Sequence, residues 1–133
     1  RALGAEVRRN AGVWEVSVDL VKLTPEGQKI FGVDNLSLHQ MHQDIVAELP
    51  KGATNLGSSP VCEQQGFYIP HRVLTLQAHP EFNEFIMTNV LNKRHDQGIF
   101  NDEVFGSGMD RSAIPHDGLL VSKVIWKFLL SDL

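Results

Sequence analysis

The stretch LTLQAHPEF, residues 74–82, decides how the rest of the chain is read. Leu74, Leu76 and Ala78 alternate as they would on a strand, and the alternation stops at His79-Pro80-Glu81. Proline fixes its own φ and lacks a backbone N–H, so the strand must turn there. Beyond it the apolar period changes. Phe82, Phe85, Ile86, Val90 and Leu91 recur at helical spacing and predict a helix with that apolar face. Glu81 and Glu84 suit the positive start of such a helix, Lys93, Arg94 and His95 suit its negative end, and Gly98 supplies a stop.

A histidine and a carboxylate at that junction lie beyond the carboxyl end of a strand, where open α/β sheets gather their functional groups. Residues two apart in extended chain project to the same side, so Glu81 reaches one ring nitrogen of His79. An acid so placed sets the tautomer and stabilises the imidazolium, which is its role in a nucleophile–histidine–acid triad. Taken alone, His-Pro-Glu is a weak pattern that fits a solvated helix start better.

Upstream of this junction the chain reads as strands. In GVWEVSVDLVKL, Val16, Val18 and Leu20 alternate, then Val21 and Leu23 alternate in the opposite phase, as across a β-bulge. TPEG, residues 24–27, has the chemistry of a turn with Gly27 at positive φ, giving a β-hairpin. Leu36 and Leu38 open a strand that runs into the polar knot His39, Gln40, His42, Gln43 and Asp44, and IVAELPKGA follows as a short helical turn. VCEQQGFYI and RVLTLQA are strands able to pair as a hairpin. RALG, at the start, reads as the last turn of a helix closed by Gly4. Residues 101–118 read as a loop, followed by a final helix over 119–130 in which Trp126 and Phe128 pack on the sheet. Strands early and helices late predict an α/β or α+β chain.

Bulk properties bound the function. A chain of 133 residues is one domain in length, and a net charge of -4 supplies no basic stripe for nucleic acid. No apolar run approaches the ~18 to 20 residues of a membrane span. One cysteine, Cys62, excludes an internal disulfide framework and predicts a reducing, cytoplasmic setting.

The order of these motifs resembles the class I glutamine amidotransferases. LTLQAHPEF resembles the family's terminal strand ending in His-Pro-Glu, and LHQMHQDIVAELPKGATNLGSS resembles its preceding His–Asp–Val segment. The resemblance covers residues 1 to about 92, and the tail resembles the stand-alone, GMP-synthase-like members of fungi. It implies an α/β fold, the C-terminal part of a flavodoxin-like three-layer domain, with β-hairpins and two C-terminal helices. The expected division is a partial amidotransferase domain over 1–95 and a loop with a packed helix over 96–133.

The family reaction is hydrolysis of the glutamine or γ-glutamyl amide by a Cys–His–Glu triad, with no cofactor. His79 and Glu81 match the base and its orienting acid, and Met41, His42 and Gln43 match the segment whose backbone holds the substrate. A synthase partner that accepts the ammonia is left open. In the family the nucleophile lies in a Gly-x-Cys-x-Gly turn before a helix ending in Ala-Leu-Gly, and this chain starts at that helix end. The expectation is therefore a fragment without its nucleophile, inactive alone and exposing a sheet edge and apolar faces. Cys62 does not replace the nucleophile, since Pro60 and Gln64 stand where a sharp elbow needs small residues.

Two other readings stay open. Zinc on His39, His42 and Asp44, or on His79 and Glu81, lacks the i, i+4 spacing of a helical zinc motif. A non-catalytic regulatory module would use the fold without the chemistry.

Overall fold

In a computed structural model that describes residues 1–130 and 133, strands fill the first part of the chain and helices the last. The strands are β1 (Val7–Arg9), β2 (Glu15–Leu23), β3 (Asn35–His42), β4 (Asp44–Val46), β5 (Thr54–Ser58), β6 (Gly66–Ile69) and β7 (Val73–Leu74). The helices are α1 (Pro25–Phe31), α2 (Glu84–Asp96), α3 (Asp102–Arg111) and α4 (Gly118–Leu129). Five strands form one sheet in the order β3-β2-β5-β6-β7, with every ladder antiparallel, while β1 and β4 pair separately.

The sheet curls back on itself. Past β7, Thr75 and Gln77 still donate to the Phe67 and Gln65 carbonyls, and an antiparallel bridge then joins His79 to His39 of β3. His79 thus sits at the seam where the far end of the curl returns to its first strand.

Opposite residues of β2 and β3 share a face, and the two faces serve different clusters. Val21, Leu23, Leu36 and Leu38 pack with Phe31 of α1 and with Val121 and Val124 of α4. Val16 and Met41 pack with Met87 and Leu91 of α2 and with Phe100. This explains the change of apolar phase along β2. No bulge is inserted: pairing with β3 is unbroken from Glu15↔His42 to Lys22↔Asn35. The strand passes from one helix layer to the other, and only Ser17, at φ +65°, departs from extended backbone.

Several further local expectations are corrected. TPEG opens a helix rather than a hairpin turn, because Thr24 Oγ1 accepts the Gly27 N–H at 3.1 Å and Pro25 occupies the first turn, where its missing donor costs nothing. Gly27 is needed there for proximity, since a Cβ would lie 2.1 Å from the Leu56 carbonyl oxygen. The stretch after Asp44 forms β4 and a turn, not a helical turn. RALG is a turn closed by the Gly4 N–H on the Arg1 carbonyl at 2.9 Å.

The 101–118 stretch contains α3, so three helices follow the strands rather than two. Asn101 caps α3 through the Val104 N–H at 2.9 Å. Its glycines mislead a reader of propensities, yet a Cβ on Gly108 would stand 2.9 Å from Leu91 Cδ2, so glycine is what lets α3 approach α2. Helix α2 buries Met87 and Leu91 and leaves Phe85 75% exposed, against the apolar face expected from the sequence. Phe128 meets Tyr68 edge-on at 6.3 Å, whereas Trp126, expected on the sheet, is exposed beside Leu119, Leu129 and Leu130. Among the described residues no helix is long and apolar enough to cross a membrane.

Candidate active site

His79 and Glu81 come together as their spacing predicts. His79 Nδ1 lies 2.8 Å from Glu81 Oε1, so the carboxylate accepts from that nitrogen and leaves Nε2 unengaged by it. Nε2 makes no hydrogen bond among the described residues, and the side chain is 34% exposed. The ring is held from beneath by Phe82, stacked at 4.2 Å, and its backbone N–H donates to the His39 carbonyl at 2.8 Å. Behind it, Gly118 allows the start of α4 to touch the Pro80 backbone, where a Cβ would come within 2.2 Å of the carbonyl oxygen. Strand pairing, stacking and a helix start thus fix a histidine whose outer nitrogen faces open space.

Below this pair lies His39, which sequence reading placed in a polar knot and weighed as a zinc ligand. His39 is fully buried, with both ring nitrogens unpartnered, and its ring lies 4.9 Å from that of His116. Burial, reinforced by the neighbouring His116 and His79, pushes its pKa down to about 4, so His39 is neutral at pH 7.

Met41, His42 and Gln43 line a cleft of about 570 Å³ together with Arg9, Trp14, Asp44, Arg94 and Ile99. His79 and Glu81 are not part of its lining, but Met41 is two ladder positions along β3 from the residue that bridges to His79. The His42 ring does not point free into the cleft. Its Nε2 approaches Glu15 Oε2 at 3.0 Å, and Gln77 Nε2 lies 3.1 Å from its Nδ1. Nδ1 also stands 3.1 Å from the Asp44 carbonyl oxygen, and Nε2, though close to the Glu15 carboxylate, makes no hydrogen bond among the described residues. Glu15 is held in turn by Gln65 Nε2 at 2.8 Å, and Gln40 Nε2 donates to Gln65 Oε1 at 3.1 Å. Glu15, Gln40 and Gln65 are buried, and the chain of side chains lies against the Met41–Gln43 segment from behind.

Sequence reading passes over Arg9 and Trp14 and marks Arg94 only as a helix-end charge, because the three come from separate elements and form no local pattern. Among the described residues no group of three or more His, Cys, Asp or Glu side chains is arranged to hold a metal ion.

Cys62 lies outside this arrangement. It is buried in a loop, its Sγ donates to the Gln64 carbonyl at 3.5 Å, and burial next to Glu15 pushes its pKa up to about 11. At neutral pH that depletes the thiolate by about two orders of magnitude relative to an exposed cysteine. Iodoacetamide is expected to label Cys62 of the native chain at least ~100-fold more slowly than that of the urea-unfolded chain. Comparable rates, followed by mass spectrometry, would show an accessible thiol instead.

No family model matches the chain. A glutamine amidotransferase-like protein of Schizosaccharomyces pombe is 36% identical over 130 residues, covering 98% of this chain and 52% of that protein. Gamma-glutamyl peptidase 2 of Arabidopsis thaliana is 30% identical over 78 residues, covering 59% of this chain and 32% of that protein. The crystal structure of a glutamine amidotransferase from Thermotoga maritima superposes with a TM-score of 0.65 at 23% identity, covering 96% of this chain and 54% of that one. The chain spans about half the length of the fungal relative it matches.

Proposed function

We propose that this chain, which belongs to the class I glutamine amidotransferase family, carries the histidine–glutamate half of a thiol-dependent hydrolase of glutamine or γ-glutamyl amides. The observation that carries the reading is the 2.8 Å contact between His79 Nδ1 and Glu81 Oε1, with His79 Nε2 open to solvent. In this reading Nε2 takes the proton from an attacking thiol and returns it to the leaving amine or ammonia. Glu81 orients the ring and stabilises its cationic form. The Met41–Gln43 segment, braced by Glu15, Gln65 and Gln77, forms the floor on which the substrate lies.

The thiol is not Cys62, which is buried and holds its proton. Since the 133 residues contain one cysteine, the nucleophile comes from residues outside them, and this chain by itself does not turn over glutamine. Ammonia release from glutamine, and p-nitroaniline release from a γ-glutamyl anilide, are expected to stay at the buffer rate with the purified chain. Turnover well above that rate that survives Cys62→Ser would overturn the assignment of a thiol nucleophile. Turnover abolished by Cys62→Ser would overturn the placement of that thiol outside the chain.

A further inference from the structure

Two open edges of the sheet are treated differently. Beyond its two pairs with β5, the outer edge of β2 is blocked by side chains. Arg111 Nη1 donates to the Val18 carbonyl at 2.7 Å, and Asp19 Oδ1 accepts the Leu20 N–H at 2.8 Å. Such capping keeps another strand from adding there. The extended stretch after β7 has no such cap. Thr75, Gln77 and His79 turn their N–H groups inward, to the Phe67, Gln65 and His39 carbonyls, so Leu76 and Ala78 turn theirs outward. Those outward N–H and C=O groups make no hydrogen bond among the described residues. Beside this edge runs an apolar groove lined by Leu74, Leu76, Ala78, Pro80 and Ile125. Ile125 belongs to α4, and at 3.6 residues per turn it is followed around the helix by Leu129, Trp126 and Leu119. Trp126, Leu129 and Leu119 are 62%, 63% and 72% exposed. Lys123 and Lys127 lie on the flank opposite Ile125, turned away from the groove.

We propose that two copies of this chain pair about Leu76 as a two-fold dimer, with their sheets joined and the apolar flanks of α4 packed together. An antiparallel pair centred there is self-complementary: Leu76 of each copy donates to the Leu76 carbonyl of the other, and Leu74 comes opposite Ala78 of the second copy. Leu74, Leu76 and Ala78 pack in the same cluster as Val121 and Val124, so α4 lies over their face of the edge. The two-fold axis then sets the two α4 helices flank to flank. The chain bends at Gln77 and Ala78 on its way from β6 to β3, so the strand contact is short and α4 supplies most of the area. The exposed apolar side chains of that flank offer on the order of 500 Å² per copy, or about 1,000 Å² for the pair, the size at which a specific interface becomes stable. The lysines stay outside the contact, so like charges do not meet in it. Neither His79 nor Glu81 takes part, and the dimer is independent of their catalytic reading.

Sedimentation equilibrium of the purified chain tests this. A reversible monomer–dimer equilibrium is expected between about 1 and 100 μM. In the dimer the Leu76 amide is expected to exchange with deuterium at least ~100-fold more slowly than its intrinsic rate, because its N–H is then paired. Trp126→Glu with Leu129→Glu places carboxylates in the α4 contact from both copies and is expected to weaken the dimer at least ~100-fold and to release that amide. Both positions are exposed, and circular dichroism establishes that the variant is folded. Lys123→Glu with Lys127→Glu, on the other flank, is expected to leave the dimer as it was. A chain that stays monomeric at about 100 μM overturns the proposal. So does a dimer that survives the Trp126 and Leu129 substitutions or is lost with the lysine ones, a Leu76 amide that exchanges at its intrinsic rate in the dimer, or an assembly that grows past two copies. A monomer whose Leu76 amide is protected only after the unmatched half of the Schizosaccharomyces pombe relative is added would give the edge to that polypeptide, and would overturn the dimer as well.

Discussion

Replacing His79 by alanine is expected to lower kcat/KM by about three orders of magnitude or more, with little change in KM. The measurement needs a polypeptide that also supplies the thiol. One way is a hybrid in which this chain replaces its matching half in the Schizosaccharomyces pombe relative, which it matches at 36% identity. The size of the effect follows from the geometry. Nδ1 is engaged by Glu81 at 2.8 Å, so in the proposed role Nε2 alone remains to move the proton, and among the described residues no other titratable side chain hydrogen-bonds to it. Without the imidazole the thiol stays protonated and the leaving amine departs as an unstabilised anion.

Glu81→Gln keeps a hydrogen-bond acceptor beside Nδ1 but removes the charge that favours the imidazolium. Glu81 is 64% exposed, so solvent already weakens that interaction, and a loss of about ten- to a hundredfold is expected. A hybrid that turns over glutamine, and whose His79→Ala variant keeps activity within tenfold of it, would sink the assignment. A rise in KM with kcat unchanged would mean that His79 binds substrate rather than moving a proton.

The second large effect is on stability against pH, and it comes from His39. Its folded pKa of about 4 lies below the ordinary histidine value of 6.5, because the ring is buried and faces His116 and His79. Above pH 6.5 the ring is neutral in both the folded and the unfolded chain and makes no pH-dependent contribution. Between 6.5 and about 4 the unfolded chain takes up a proton that the folded chain refuses, so stability falls as the pH falls through that window. The full loss is about 3 kcal/mol, a large part of the stability of a domain this size.

Other groups titrate over the same range, so the contribution is isolated by difference. His39→Leu is expected to be at least as stable as the parent at neutral pH, because it removes two unpartnered buried nitrogens. It is also expected to lose about 2 to 3 kcal/mol less than the parent between neutral pH and pH 4.5 in urea titrations. Parallel losses in the two proteins would show that His39 does not refuse its proton.

Both effects meet at one seam, yet only half of it is legible in the sequence. His79 and Glu81 are two apart across a proline, and that spacing alone puts their side chains on one side of the chain. His39 and His116 are 77 positions apart in the numbering, and no local pattern joins them. They meet because the loop after α3 returns to β3, where the Asp117 N–H donates to the Ser37 carbonyl at 2.8 Å and Asp117 Oδ2 accepts from the Ser37 N–H at 2.7 Å. The Met41–Gln43 segment was visible through its motif, but the reason for its rigidity was not. Glu15, Gln65 and Gln77 that brace it read as ordinary polar residues of three separate segments. The same limit explains α3. Its two glycines lower helix propensity, and only contact with Leu91 makes one of them favourable.

What the sequence determined by itself is what short-range physics controls: the alternation of β2 and β3, the turn at Pro80, the helices α2 and α4, and the pairing of an imidazole with a carboxylate two residues on. What the tertiary structure alone decided is which face of each strand met which helices, that the sheet would curl until His79 reached His39, and that Arg94 would settle over Trp14, its Nε unpartnered among the described residues. These depend on contacts between residues tens of positions apart, where burial and charge are set by neighbours that no local window contains.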